Sequence, residues 1–296
     1  SPDNDDIFNV MWQNASVVTT TTTKAITTSD DAQAALSIIR IAIVTAASSD
    51  PDAPQYYKEL FESKSNDRYR IETEWVPITM DTRENNKDPK VIQMLDRVNI
   101  LFFSGGDQSV LLQCFTTMVD DVRRELVDSP FLSRLKHLYR NSQVLVVGTS
   151  AGSAVMATKR STMITGGESW QGVVHGAFED GKTSIRNALT YNPYGGFGMF
   201  TLGLIDTHFS ERGRQGRIVR LADHVKSPLA FGVDENSAIY VESVMTSDQI
   251  ETAQLHIFGG VHLFNLTQGM QSPLKDRKFQ SKHESMIRKQ YGSRNN

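Results

Sequence analysis

Three clusters in this chain carry residue types that could do chemistry together. The first is Gly148-Thr149-Ser150-Ala151-Gly152, directly after the apolar run Val144-Leu145-Val146-Val147. A buried strand that breaks at glycine, exposes one serine and continues in small residues has the G-x-S-x-G form of a nucleophile elbow. An uncatalytic strand-to-helix turn has the same composition. The second cluster, Ser104-Gly105-Gly106-Asp107-Gln108, ends another short apolar run, Val98 to Phe103. A glycine pair there can aim a backbone N–H at a substrate carbonyl, or simply turn the chain. The third, Asp206 to Arg217, follows Gly203-Leu204-Ile205 and holds His208 with Arg212, Arg214 and Arg217. The histidine could serve a serine as general base, and the arginine forks suit carboxylates. A solvated basic helix face would look similar.

Positioning these clusters requires strands that end where they begin. Strand-like runs at Ile39–Ala47, Tyr69–Ile78, Val98–Phe103 and Gln143–Val147 alternate with helical patterns at Tyr56–Ser63, Lys90–Arg97 and Val110–Leu138, the last broken near Pro130. This alternation predicts a three-layer α/β domain with a mostly parallel, doubly wound sheet and a site at the strands' carboxyl ends. Ser237–Ser243 and Gln254–Leu266 read as further strands, and Gly259-Gly260 as a hairpin or bulge. All 20 glycines lie at or after Gly105, which puts the chemistry in the later two-thirds. The expected division is a divergent N-terminal strand and Thr-rich segment over 1–38, one α/β domain over 39–270, and a polar basic tail over 271–296.

Composition excludes several classes. The 296 residues carry a net charge of −3, which gives no general pull toward nucleic acid or membrane. No apolar stretch approaches the roughly 20 residues that span a bilayer. One cysteine, Cys114, rules out an internal disulfide framework and a Cys-based metal site. No metal or organic cofactor is required. The sequons Asn14-Ala15-Ser16 and Asn265-Leu266-Thr267 favour an extracellular protein over a cytoplasmic one, and are candidate glycosylation sites.

Taken in order, Thr45-Ala46-Ala47-Ser48-Ser49, Phe103-Ser104-Gly105-Gly106-Asp107-Gln108, the Ser150 elbow, Gly166-Gly167-Glu168-Ser169, Asp206-Thr207-His208-Phe209 with its arginines, and Gly232-Val233-Asp234-Glu235-Asn236-Ser237-Ala238 resemble the cyanophycinase and dipeptidase E family. These are serine peptidases on a flavodoxin-like, class I glutamine-amidotransferase-like scaffold. The resemblance runs from about Ile39 to Phe264. It implies Ser150 as nucleophile, His208 as base and Glu168 as third member, with Asp206 a competitor for that last place. It implies an oxyanion hole from Gly105, Gly106 and Ala151, and a substrate pocket from Gln108, Asp206, Thr207, Arg212, Arg214 and Arg217. Hydrolysis of β-aspartyl (isopeptide) or Asp-containing peptide bonds, a β-Asp-Arg-type substrate and a homodimer follow from the same resemblance.

Departures accompany it. Thr207 stands where the family has glutamine, and Val10 to Ser16 lacks the family's glycine-rich turn, suggesting a remodelled loop at the active-site edge. Added length is expected around Asp128–Asn141. Two other functions fit these residues: a secreted binding, storage or structural protein that has lost turnover, and an α/β-hydrolase esterase. His175 is the rival base, whereas His137 is expected to face solvent.

Overall fold

Each parallel strand is a short β-branched or aromatic run ended by a polar or glycine turn, and the computed structural model describes residues 2–22, 37–120, 125–158, 162–245, 251–267 and 280–281. Helix α1 (Pro2–Thr22) comes first, then β1 (Ser37–Val44), α2 (Ala53–Glu62) and β2 (Tyr69–Trp75). Helix α3 (Pro89–Gln93) is capped by the Asp88 carboxylate, which accepts the Lys90 N–H; a 3₁₀ turn, Met94–Arg97, leads to β3 (Ile100–Phe103). Helix α4 (Gln108–Phe115) starts at Asp107, whose side chain accepts from the Ser109 N–H. An antiparallel pair, β4 (Thr116–Asp120) and β5 (Glu125–Asp128), precedes α5 (Pro130–Arg140). Ser129 caps α5 through the Leu132 N–H, and Pro130 occupies its first turn, where a missing N–H costs nothing.

Next come β6 (Leu145–Gly148), α6 (Ala151–Ala154), β7 (Met163–Gly166), α7 (Ser169–His175), β8 (Ala177–Glu179) and β9 (Leu189–Asn192). Then follow β10 (Leu204–Thr207), α8 (Gln215–Val225), β11 (Leu229–Val233), β12 (Ala238–Met245), β13 (Glu251–Phe258) and β14 (Val261–Asn265). Strands β2-β1-β3-β6 form one parallel sheet, and a separate three-stranded sheet pairs β10 and β11 in parallel with β14 antiparallel at its edge. The expected mostly parallel α/β architecture is therefore present.

Alternation along β3 sorts its side chains between two cores. Ile100 and Phe102 face Met11, Trp12, Phe61 and Ile39 on one side. Leu101 and Phe103 face Phe115, Phe131 and Phe197 on the other. Phe103 and Phe115 meet edge-on at 5.8 Å, and Phe115 and Phe197 likewise at 5.8 Å. Fully burying each such ring is worth about 1.5–3 kcal/mol. A third core, under α8, joins Leu204, Phe209, Ile218, Leu221 and Ala230.

Two expectations fail here. The front of the chain is a helix, not a strand. The acidic Asp5 and Asp6 suit the first turns of a helix, and Trp12, 1% exposed, is locked on the sheet by Phe8 and Phe61. Between Val110 and Leu138 the two expected helical stretches are present, but a hairpin separates them, and 130–140, within the region where added length was expected, is a core helix burying Phe131, Leu132 and Leu135. Most of the basic tail over 271–296 lies outside the described residues.

Candidate active site

The elbow is built by backbones too close for side chains. A Cβ on Gly148 would lie 2.3 Å from Gly152 O, and one on Gly152 would lie 2.2 Å from Phe103 O. Even alanine is excluded at both positions. With β6 pressed on β3, Thr149 N–H donates to Phe103 O (3.1 Å) and Gly152 N–H to Thr149 O (2.8 Å), which forces Ser150 to φ 51°, ψ −112°. Holding a serine there costs on the order of 1–3 kcal/mol and marks a position the surroundings over-determine. Gly105 arrives from β3, and its Cβ would sit 3.3 Å from Ser150 Cβ and 3.8 Å from Oγ. Gly106, at φ 134°, lies against Ala47 O, where any Cβ would be 1.9 Å away. Burial pushes the Tyr57 hydroxyl up against a backbone hydrogen bond from Gly105, so a phenol borders this turn. Sequence reading passed Tyr57 over.

His208 completes the contact from the end of β10. Its Nε2 is 2.9 Å from Ser150 Oγ, and its Nδ1 is 2.8 Å from Glu235 Oε1. An ionised Glu235 accepts from Nδ1–H, leaving the Nε2 lone pair for the serine proton. The Glu235 side chain is 52% exposed, so its charge is partly solvated. Its backbone N–H donates to Glu211 Oε1 (3.0 Å), tying the two loops together. The neighbouring Asp234 accepts from Ser210 N–H (2.8 Å) and contacts His262 Nε2 (3.1 Å). Burial pushes the Asp234 carboxyl up, but the Ser210 donors and His262 outweigh it and hold it below its ordinary 3.8. Phe209 anchors the loop from beneath, against Gly232, where a Cβ would touch its ring at 2.4 Å.

The third position of the relay is thus corrected. Glu168 sits at the start of α7, where its Oε1 accepts from Asn187 Nδ2 (2.7 Å), away from His208. Glu235 holds the ring because β11 is the parallel neighbour of β10, and their ends lie side by side. The quoted Asp234-Glu235 motif after an apolar strand was the available signal. Asp206 is no competitor either. Strand alternation ends before His208, whose φ is 47°, and Asp206, 3% exposed, turns inward to Arg217 and Arg214.

The expected pocket residues divide. Arg214 and Arg217 are committed to Asp206, while Arg212 is exposed and makes no ion pair among the described residues. Gln108 is half-buried and its amide donates to Ile164 O (2.7 Å) and Thr165 O (3.2 Å), across the gap from Ser150. Thr207 is partly exposed beside His208. Gly105, Gly106 and Ala151 flank the serine as expected. His175 ends α7, exposed, and His137 is exposed on α5. Asn14 is not on a loop: its Nδ2 donates to Val10 O within α1 (2.8 Å) and its Oδ1 accepts from the Tyr240 hydroxyl (3.0 Å), so its amide is engaged. Asn265 is exposed, with Thr267 Oγ1 donating to its Oδ1 (2.6 Å), the compact turn of an accessible sequon. Burial pushes the Cys114 thiol up to about 11, which leaves it inert. Among the described residues no group of His, Cys, Asp or Glu is arranged to hold a metal ion. No described helix is long and apolar enough to cross a membrane.

No family model matches the chain. It is 27% identical over 203 residues to the cyanophycinase of Trichormus variabilis, covering 68% of this chain and 57% of that protein. With the cyanophycinase of Synechococcus elongatus it shares 26% identity over 204 residues, 69% of this chain and 53% of that one. The chain is a homologue of the cyanophycinases. The match spans little more than half the length of those cyanophycinases. A peptidase structure from an acI-B1 Actinobacterium aligns over 77% of this chain and 78% of its own, with 18% identity and a TM-score of 0.49.

Proposed function

We propose that this cyanophycinase homologue is a serine-type peptidase that cleaves β-aspartyl (isopeptide) or Asp-containing peptide bonds through an acyl-enzyme on Ser150. The observation that carries the reading is the unbroken contact Ser150 Oγ–His208 Nε2–His208 Nδ1–Glu235, at 2.9 and 2.8 Å. A serine hydroxyl is a weak nucleophile until a base takes its proton, and an imidazole held by a carboxylate is that base.

In the first half-reaction Ser150 Oγ attacks the amide carbon while its proton passes to His208 Nε2. Glu235 stabilises the imidazolium through Nδ1–H. Backbone N–H groups of Ala151 and of the Gly105-Gly106 turn receive the oxyanion; Ala151, first in its helix, has no intrahelical acceptor for its N–H. His208 then protonates the departing amine. Water, deprotonated by His208, attacks the ester and releases the acid, restoring Ser150. With Arg214 and Arg217 occupied, Arg212 is the guanidinium open to the α-carboxylate that a β-linkage leaves free.

Hydrolysis of β-Asp-Arg, α-Asp-Arg and a short-chain ester by wild type and Ser150→Ala tests this. Turnover of the β-linked amide, reduced by about 10⁴- to 10⁶-fold in the variant, is expected. Ester turnover alone would shift the chain to the esterases, and the absence of any Ser150-dependent turnover would make it a binding protein.

A further inference from the structure

We propose that Asp206, Arg214 and Arg217 are positioning residues that fix the backbone of His208. This rests on the reading of Ser150 and His208 as the reacting pair. On Asp206 and Arg217 the hydrogen bonds and burial leave little room for a ligand. Asp206 Oδ1 accepts from Thr207 N–H (3.0 Å), Arg214 Nη1 (3.1 Å) and Arg217 Nη2 (2.5 Å), and Oδ2 accepts from Arg217 Nε (2.6 Å). Arg217 sends its remaining nitrogen, Nη1, to Gly167 O (2.6 Å). A substrate guanidinium would find the Asp206 oxygens occupied, and a substrate carboxylate would find the Arg217 fork turned inward. The Asp206 and Arg217 side chains are 3% and 6% exposed.

The same cluster grips the peptide plane that orients the base. Arg214 Nη1 bridges Asp206 Oδ1 and Thr207 O (2.5 Å). Thr207 C=O and His208 N–H share one plane, and rotating that plane changes the φ of His208, here 47°. A non-glycine residue holds such a φ only when neighbours enforce it. The ring must meet Ser150 and Glu235 at once, so a small rotation of the plane breaks one contact or the other. Arg217 extends the grip. Its backbone N–H donates to Ser169 Oγ (3.2 Å) and its Nη1 holds Gly167 O, so the Gly167–Ser169 loop is clamped to the base loop. That clamp gives the Gly166-Gly167-Glu168-Ser169 motif a structural task without Glu168 entering the relay.

Phosphonylation of Ser150, followed by intact mass, reads activation of the serine without a peptide substrate. Two fluorophosphonate probes are used, one neutral and one bearing a carboxylate, with wild type, Arg214→Met and Arg214→Lys. Positioning predicts that Arg214→Met slows both probes by the same factor, on the order of 10- to 100-fold. Arg214→Lys keeps the cation on a shorter arm without the planar fork, and is expected to fall between. If Arg214→Met does not fold, Arg214→Lys carries the comparison alone. Equal rates in variant and wild type, or slowing confined to the carboxylate probe, would overturn the proposal. The Nδ1–H proton resonance of His208 is the second readout, expected to broaden or move upfield in either variant. A wild type that takes no label at Ser150 would sink the peptidase reading instead, and that resonance would still decide whether Arg214 positions the ring.

Discussion

The elbow that carries Ser150 and the loop that carries His208 hold two halves of one relay by opposite means. The elbow is set by absence: Gly148, Gly152 and Gly105 let three backbone segments come within distances that no Cβ allows. The base loop is set by presence: an aspartate, two arginines, a glutamate and a second aspartate hold it from 8 to 27 residues away. Steric exclusion is rigid, so the elbow has one conformation or none. Ion pairs and hydrogen bonds tolerate partial loss, so the loop can weaken by degrees. Both halves contain a non-glycine residue at positive φ, yet the strain is enforced by packing in one and by charge in the other.

That contrast predicts how each half breaks. In the base loop the largest effect should come from the carboxylate. Glu235→Gln is expected to lower kcat by about 10²- to 10⁴-fold by favouring the wrong imidazole tautomer. Glu168→Gln should stay within about 3-fold of wild type, as expected of a surface substitution away from the relay. Hydrolysis assays on the two variants side by side check this, and a reversal would return the third place to Glu168. Gly152→Ala comes next: its methyl meets Phe103 O, so a stability loss of about 1–3 kcal/mol or more and loss of the elbow are expected together in thermal melts and activity. Conservative changes in the base loop should lower activity while sparing stability.

Ser150→Gly sharpens the point about strain. Glycine accepts φ 51°, so the variant should be inactive and more stable than wild type by up to about 1 kcal/mol, while Ser150→Ala gains nothing comparable. Calorimetry on the pair distinguishes them. The smallest effect concerns Asp234. A carboxylate held below its ordinary 3.8 stabilises the fold fully above the unfolded value and loses that contribution as pH falls through the lower folded value. Asp234→Asn is therefore expected to flatten the acid side of the stability profile below about pH 4 and leave its shape near neutrality unchanged.

The parts that could be read from the sequence are those with a local code. The elbow glycines and the strand before each cluster announce themselves within five residues. Glu235 did not, because choosing it over Glu168 requires knowing that β11 lies beside β10. The commitment of Arg214 and Arg217 was hidden for a related reason: an arginine in a cluster looks the same whether it faces solvent or a buried aspartate. Helix α1 was missed because Trp12 and Met11 pair with residues from Ile39 onward, and its short apolar segment also fits a strand.

Helix α1 also has an arrangement in time. Its apolar face packs on Phe61 and Phe102 and its Asp5 pairs with Lys64 (2.9 Å), whereas its polar latch to the far end of the chain, Asn14 to Tyr240, spans 226 residues. At ribosomal speeds the two ends of that latch leave the tunnel on the order of tens of seconds apart. The nascent helix can therefore settle on the early strands long before the Tyr240 latch closes. A chain stalled short of Tyr240 would present a docked but unlatched front helix to proteases and chaperones.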